Sequence, residues 1–159
     1  MMRLDVGIGE WQVSNRPEDE LKTYALGSCV AVLAYDPKNR VAGLIHVALP
    51  DSKVNQDKAL KLPGYFADTG LPVLFEEMQK KGAAKKNIKV KLTGGSSIMD
   101  QNRHFDIGRR NTIAIKRYLW KNGYGVVKED TGGNSSRTVS FKVGDGTILV
   151  SNAGKSWEI

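Results

Sequence analysis

Apolar residues fall in short blocks along the chain, separated by turn formers, and two longer stretches carry helical periodicity. Residues 6–13 read as a first short strand containing Gly7 and Gly9, and 15–20 as a polar turn around Pro17. The run 29–35 (Cys-Val-Ala-Val-Leu-Ala-Tyr) is continuously apolar and of strand length. It ends at Asp36-Pro37-Lys38-Asn39, where aspartate suits the first position of a turn and proline the second. A second apolar run, 41–49, closes at Pro50, so the two runs predict a buried hairpin.

Residues 51–61 are polar and read as a loop. A helix is predicted over 65–81, with Leu71, Leu74, Phe75 and Met78 on one face and Gly82 as its stop; Pro72 should kink it or start a new segment. Residues 88–92 form a strand that runs into the glycine turn 93–97. A second helix is expected over 109–122, with Ile115, Tyr118 and Leu119 inward and Gly123 as C-cap. Strands follow at 125–128, 138–143 and 147–151, the last two joined through Gly144-Asp145-Gly146. With no repeat, low-complexity tract or linker, the pattern predicts one domain over 1–159, of α+β class.

Composition narrows the compartment and the chemistry. The chain is 40% hydrophobic and 26% charged, ordinary values for a soluble protein. No stretch reaches membrane-spanning length and the N-terminus has no signal-peptide pattern, so a cytoplasmic protein without membrane insertion is expected. One cysteine excludes an internal disulfide, and with only His46 and His104 beside it no structural zinc set can form; no metal or organic cofactor is expected. The net charge of +7 suits an acidic partner, either nucleic acid or an acidic protein surface. Lys80, Lys81, Lys85, Lys86, Lys89 and Lys91 read as a solvated face, however. No nucleic-acid motif is present, and Trp11, Trp120 and Trp157 are not interleaved with the basic residues.

Cys29 stands where Gly27-Ser28 meets an apolar strand, so small residues let the backbone turn and leave N–H groups near the sulfur. If 36–39 closes a two- or four-residue loop, Cys29 faces His46 on one side of the sheet, with Cβ atoms about 4.5–5.5 Å apart. An imidazole at that range can activate a thiol. A three-residue loop with a bulge at Asn39 would put the two on opposite faces, leaving a packed cysteine and a satisfied histidine. Asp36 and Asp51 lie at element ends, away from the pair. Thr23 is a candidate to orient the ring, or else a local turn or strand residue. Gly94-Gly95 and Gly132-Gly133 read as tight turns, or as places where a substrate helix approaches the backbone. Arg137 would hold a substrate carbonyl or a surface carboxylate, and His104 is expected to be exposed and uninvolved. Gly154-Lys155-Ser156 is no phosphate loop, because Leu149 stands where that motif needs glycine.

The segments 23–32 (Thr-Tyr-Ala-Leu-Gly-Ser-Cys-Val-Ala-Val), 46–52, 64–69, 94–99, 107–111 and 129–134 together resemble the chemoreceptor glutamine deamidase family CheD, in family order over nearly the whole chain. The resemblance implies deamidation of glutamines on methyl-accepting chemotaxis receptors by a Cys–His–Thr triad, which carries over onto Cys29, His46 and Thr23. It also implies a CheC-type chemotaxis phosphatase as regulator. The implied fold is a layered sandwich of mixed β-sheets with flanking helices, similar to the catalytic domain of cytotoxic necrotizing factor toxins. Receptor methylesterase activity would use the same parts. The chain departs from the family pattern at Ala25, where glycine is common, and at Gly70 and Pro72. The rival reading is a non-catalytic module that docks on receptors or on the phosphatase.

Overall fold

The computed structural model describes residues 2–97 and 106–159. Among the described residues, ten strands build two five-stranded sheets. The first sheet has the order β1 (Arg3–Val6), β3 (Glu20–Leu26), β8 (Arg137–Lys142), β9 (Ile148–Asn152) and β10 (Lys155–Glu158). The second has the order β2 (Trp11–Ser14), β5 (Val41–Val47), β4 (Val30–Asp36), β6 (Lys89–Gly94) and β7 (Gly125–Thr131). Both are mixed, since β1 runs parallel to β3 and β6 parallel to β7 while the other pairs are antiparallel.

The continuous apolar runs mark the two strands that are covered on both faces. One face of β4 and β5 (Ala31, Leu33, Ala42, Leu44) packs on Leu21, Val139, Phe141 and Val150 of the first sheet. The other face (Val30, Val32, Ile45, Val47) packs on helix α2 (Ala67–Lys80) through Leu71, Leu74 and Met78, and on α3 (Ile107–Lys121) through Ile115 and Leu119. Each such fully buried Val, Leu, Ile or Met side chain contributes about 1.5–3 kcal/mol. Sheet, sheet and helices thus form an α+β layered sandwich, the class that the pattern predicted and the layering that the resemblance implied.

Several local expectations are corrected. The stretch 6–13 is two strands rather than one: Gly9, at φ 77°, turns the chain so that β1 joins the first sheet and β2 the second. The stretch 51–61 holds a 3-10 turn, Ser52–Val54, and a short helix α1 (Gln56–Lys61), whose Lys58 N–H donates to the Asn55 side chain. Pro72 lies inside α2 without ending it, because it sits on the exposed face, where water can serve the carbonyl it leaves unpaired. Strands β3 and β10 had no strong signal: β3 places a polar threonine inward, and β10 is an exposed edge strand.

Candidate active site

The chain crosses from one sheet to the other at Gly27-Ser28-Cys29, between β3 and β4. Cys29 therefore sits at this crossover, half-buried against the inter-sheet core. His46, near the end of β5, is 2% exposed and points to the same inter-sheet face. The pairing differs from the expected one. Asp36 pairs with Val41, so the loop is Pro37 to Arg40, and Ala31 rather than Cys29 stands directly opposite His46. The Asp36 carboxylate sets this loop by accepting from Lys38 N, Asn39 N and Asn39 Nδ2, while Arg40 takes φ 53°. The register moves by two residues, which preserves the face: continued one position before Val30, the pairing makes Cys29 a diagonal neighbour of His46, a relation in which Cα atoms lie about 7–8 Å apart.

Thr23 reaches the same place from the first sheet. On β3 Leu21 and Thr23 are buried while Tyr24 is exposed, the period-two pattern of a half-covered strand. The fully buried Thr23 hydroxyl donates to the Val6 carbonyl at 2.7 Å and lies 2.7 Å from His46 Nδ1. A hydroxyl has one proton. With that proton on Val6, Thr23 must accept from Nδ1–H, so the ring holds its proton on Nδ1 and a bare lone pair on Nε2. Nε2 is buried and has no hydrogen-bond partner among the described residues. Burial lowers the imidazole pKa from 6.5 to about 4, and burial also pushes the Cys29 thiol up. At neutral pH the cysteine is a thiol and the imidazole is neutral, a state in which the ring can accept a proton.

Three carbonyls of the crossover are held from outside it. The Gly27 carbonyl accepts from Ser96 N at 2.8 Å and Ser96 Oγ at 2.9 Å, and the Cys29 carbonyl from Gly95 N at 2.8 Å. The Ser28 carbonyl accepts from Asn111 Nδ2 at 3.0 Å. Gly94 and Gly95 have φ of 111° and 63°, and a side chain on Gly94 would overlap the Cys29 carbonyl. The close approach these glycines allow is thus to the protein's own crossover. Gly132 and Gly133 also have positive φ, 86° and 75°, as turns require. Arg137 is buried and turned inward, donating to the Gly94 carbonyl at 3.2 Å and lying 3.5 Å from Asp130. His104 lies outside the described residues. Asn111 was missed as a site residue. Its signal was a polar side chain on the inward stripe of a helix, one turn before Ile115 and two before Leu119.

The sequence profile of the family described as CheD chemotactic sensory transduction matches residues 48–152. The chain is 51% identical to a probable chemoreceptor glutamine deamidase CheD of Syntrophotalea carbinolica, with 100% of each chain covered. It is 47% identical to probable chemoreceptor glutamine deamidase CheD 1 of Syntrophus aciditrophicus, over 94% of this chain and 93% of that one. It is 40% identical to the chemoreceptor glutamine deamidase CheD of Thermotoga maritima, over 96% and 94%. With a profile spanning most of the chain and relatives matched from end to end, this protein belongs to the CheD family.

Proposed function

We propose that this protein hydrolyses glutamine side chains of methyl-accepting chemotaxis receptors to glutamate and ammonia, with Cys29 as nucleophile, His46 as base and Thr23 as the group that orients the ring. The observation that carries the reading is the Thr23–His46 hydrogen bond, which leaves His46 Nε2 unprotonated and unpartnered on the face that holds Cys29. The names of the relatives give the substrate class.

As the sulfur attacks the carboxamide carbon, Nε2 takes the thiol proton. The carbonyl oxygen gains the negative charge, and N–H groups of the crossover stabilise it. Collapse breaks the C–N bond, the imidazolium returns its proton to the leaving nitrogen, and ammonia departs. Water, deprotonated by His46, then cleaves the thioester to glutamate and the free thiol. A glutamate methyl ester presents the same carbonyl, so methanol release from methylated receptors would follow the same steps. A CheC-type phosphatase is the regulatory partner that the family resemblance implies.

The test is incubation with a receptor cytoplasmic fragment and peptide mass spectrometry for a glutamine-to-glutamate conversion. Wild type should convert particular glutamines and Cys29→Ala none. Conversion that survives in Cys29→Ala would refute the assignment. A cellular chemotaxis effect that survives while conversion is absent would instead favour the docking module.

A further inference from the structure

We propose that Asn111 is a positioning residue for the oxyanion site, its carboxamide turning the Ser28–Cys29 peptide so that the Cys29 N–H faces the carbonyl under attack. The inference rests on Cys29 being the nucleophile. Asn111 is fully buried on α3, in the row with Ile115 and Leu119, where an aliphatic side chain would pack. Its Nδ2 donates to the Ser28 carbonyl and to the Ala48 carbonyl, both at 3.0 Å. The two carbonyls that need donors set the orientation of the amide and leave Oδ1 buried with no partner among the described residues. An unsatisfied buried acceptor costs about 1–3 kcal/mol, so packing alone does not account for an asparagine here. Its use lies in what the two N–H groups hold.

The described peptide bonds are all trans, and in a trans peptide the C=O of one residue and the N–H of the next point in opposite directions. Fixing the Ser28 carbonyl toward α3 therefore aims the Cys29 N–H away from it. The neighbouring peptide is fixed likewise, since Ser96 holds the Gly27 carbonyl and so directs the Ser28 N–H away from Ser96. Among the described residues neither N–H has a backbone acceptor outside the strands, and the Cys29 N–H is directed at its own sulfur. Two adjacent donors at a nucleophile are what a developing oxyanion needs. Asn111 has a second grip on Ala48, two residues past His46, so one side chain holds the nucleophile turn against the strand of the base.

The experiment separates the oxyanion from the nucleophile. Deamidation passes through a tetrahedral oxyanion, whereas alkylation of Cys29 by iodoacetamide displaces iodide at a saturated carbon and forms none. Asn111→Ala should lower kcat on a receptor fragment about a hundredfold or more, with KM within about threefold of wild type, the pattern for an interaction made only in the transition state. The alkylation rate of Cys29 should stay within about threefold, because thiol and imidazole are untouched. Should the alanine variant not fold, Asn111→Gln keeps both N–H donors, displaces them by one methylene, and carries the same comparison. An alkylation rate that falls in step with kcat would make Asn111 merely structural, and an unchanged kcat would remove it from the reaction. Both outcomes overturn the inference. If Cys29→Ala itself still deamidates, the underlying reading falls; if Cys29→Ala is inactive and the Asn111 variants are fully active, only this inference does.

Discussion

Thr23 and His46 come from different sheets, and their 2.7 Å contact sets the proton inventory of the site. Thr23→Val keeps the shape and removes the acceptor, so Nδ1–H loses its partner and the ring is free to tilt or change tautomer. Ammonia release should fall by about tenfold to a hundredfold, a fraction of what general-base catalysis supplies, while Cys29→Ala falls to background. Equal residual rates in the two variants would mean that the nucleophile is misassigned. Burial of His46 also makes a pH prediction. Its folded pKa of about 4 lies below the ordinary 6.5, so between these values the unfolded chain binds more protons. The stability that His46 contributes is therefore complete above about pH 6.5 and is lost as pH falls toward 4. Urea titrations at pH 7 and pH 5 should show a loss about 2 kcal/mol larger in wild type than in His46→Gln. Equal losses would show that the ring is not held neutral by burial.

At the level of elements, β3 carries an irregularity that aims its residues. Its pairing with β8 shifts between Thr23 and Leu26, and Ala25 in that bulge takes φ 52°. The left-handed region strains any residue with a Cβ. Ala25 is exposed, so a smaller residue loses no packing. Ala25→Gly should stabilise the protein by about 0.5–1 kcal/mol in chemical denaturation and leave the deamidation rate unchanged. A destabilised variant would show that the bulge is held by something other than its backbone conformation. The β4–β5 hairpin makes a related point about parity. A shift of two residues in register moved Cys29 from opposite to diagonal but kept both side chains on the inter-sheet face; a shift of one would have separated them.

For the molecule as a whole, the proposed site lies where the chain passes between sheets. The proposed substrate is a glutamine held on the convex surface of a receptor helix. The net charge of +7 then bears on encounter, since receptor segments rich in glutamate are acidic. Raising salt from 0.1 M to 1 M shortens the screening length from about 10 Å to about 3 Å. The value of kcat/KM on a receptor fragment should fall across that range, while alkylation of Cys29 by a small neutral reagent changes little. If both fall together, salt is acting on the fold; if neither does, apolar contacts set the encounter.

The sequence alone determined the elements whose patterns are strong. The two apolar runs became the doubly covered strands β4 and β5, and the stripes of Leu71, Leu74 and Met78 and of Ile115 and Leu119 became the buried faces of α2 and α3. The small residues before Cys29 and its spacing from His46 marked two candidates, because residue type and parity along one hairpin are local properties; Thr23 entered as a triad member through the family resemblance. What crosses between elements was not legible. Only the tertiary structure decided that Thr23 spends its proton on Val6 and so accepts from His46, since those three residues lie on three strands of two sheets. Only it brought Asn111, more than eighty positions along the chain, to the carbonyl of Ser28. Long-range hydrogen bonds leave no periodicity in a single sequence. They are chosen when packed layers close and each buried polar group must find a partner.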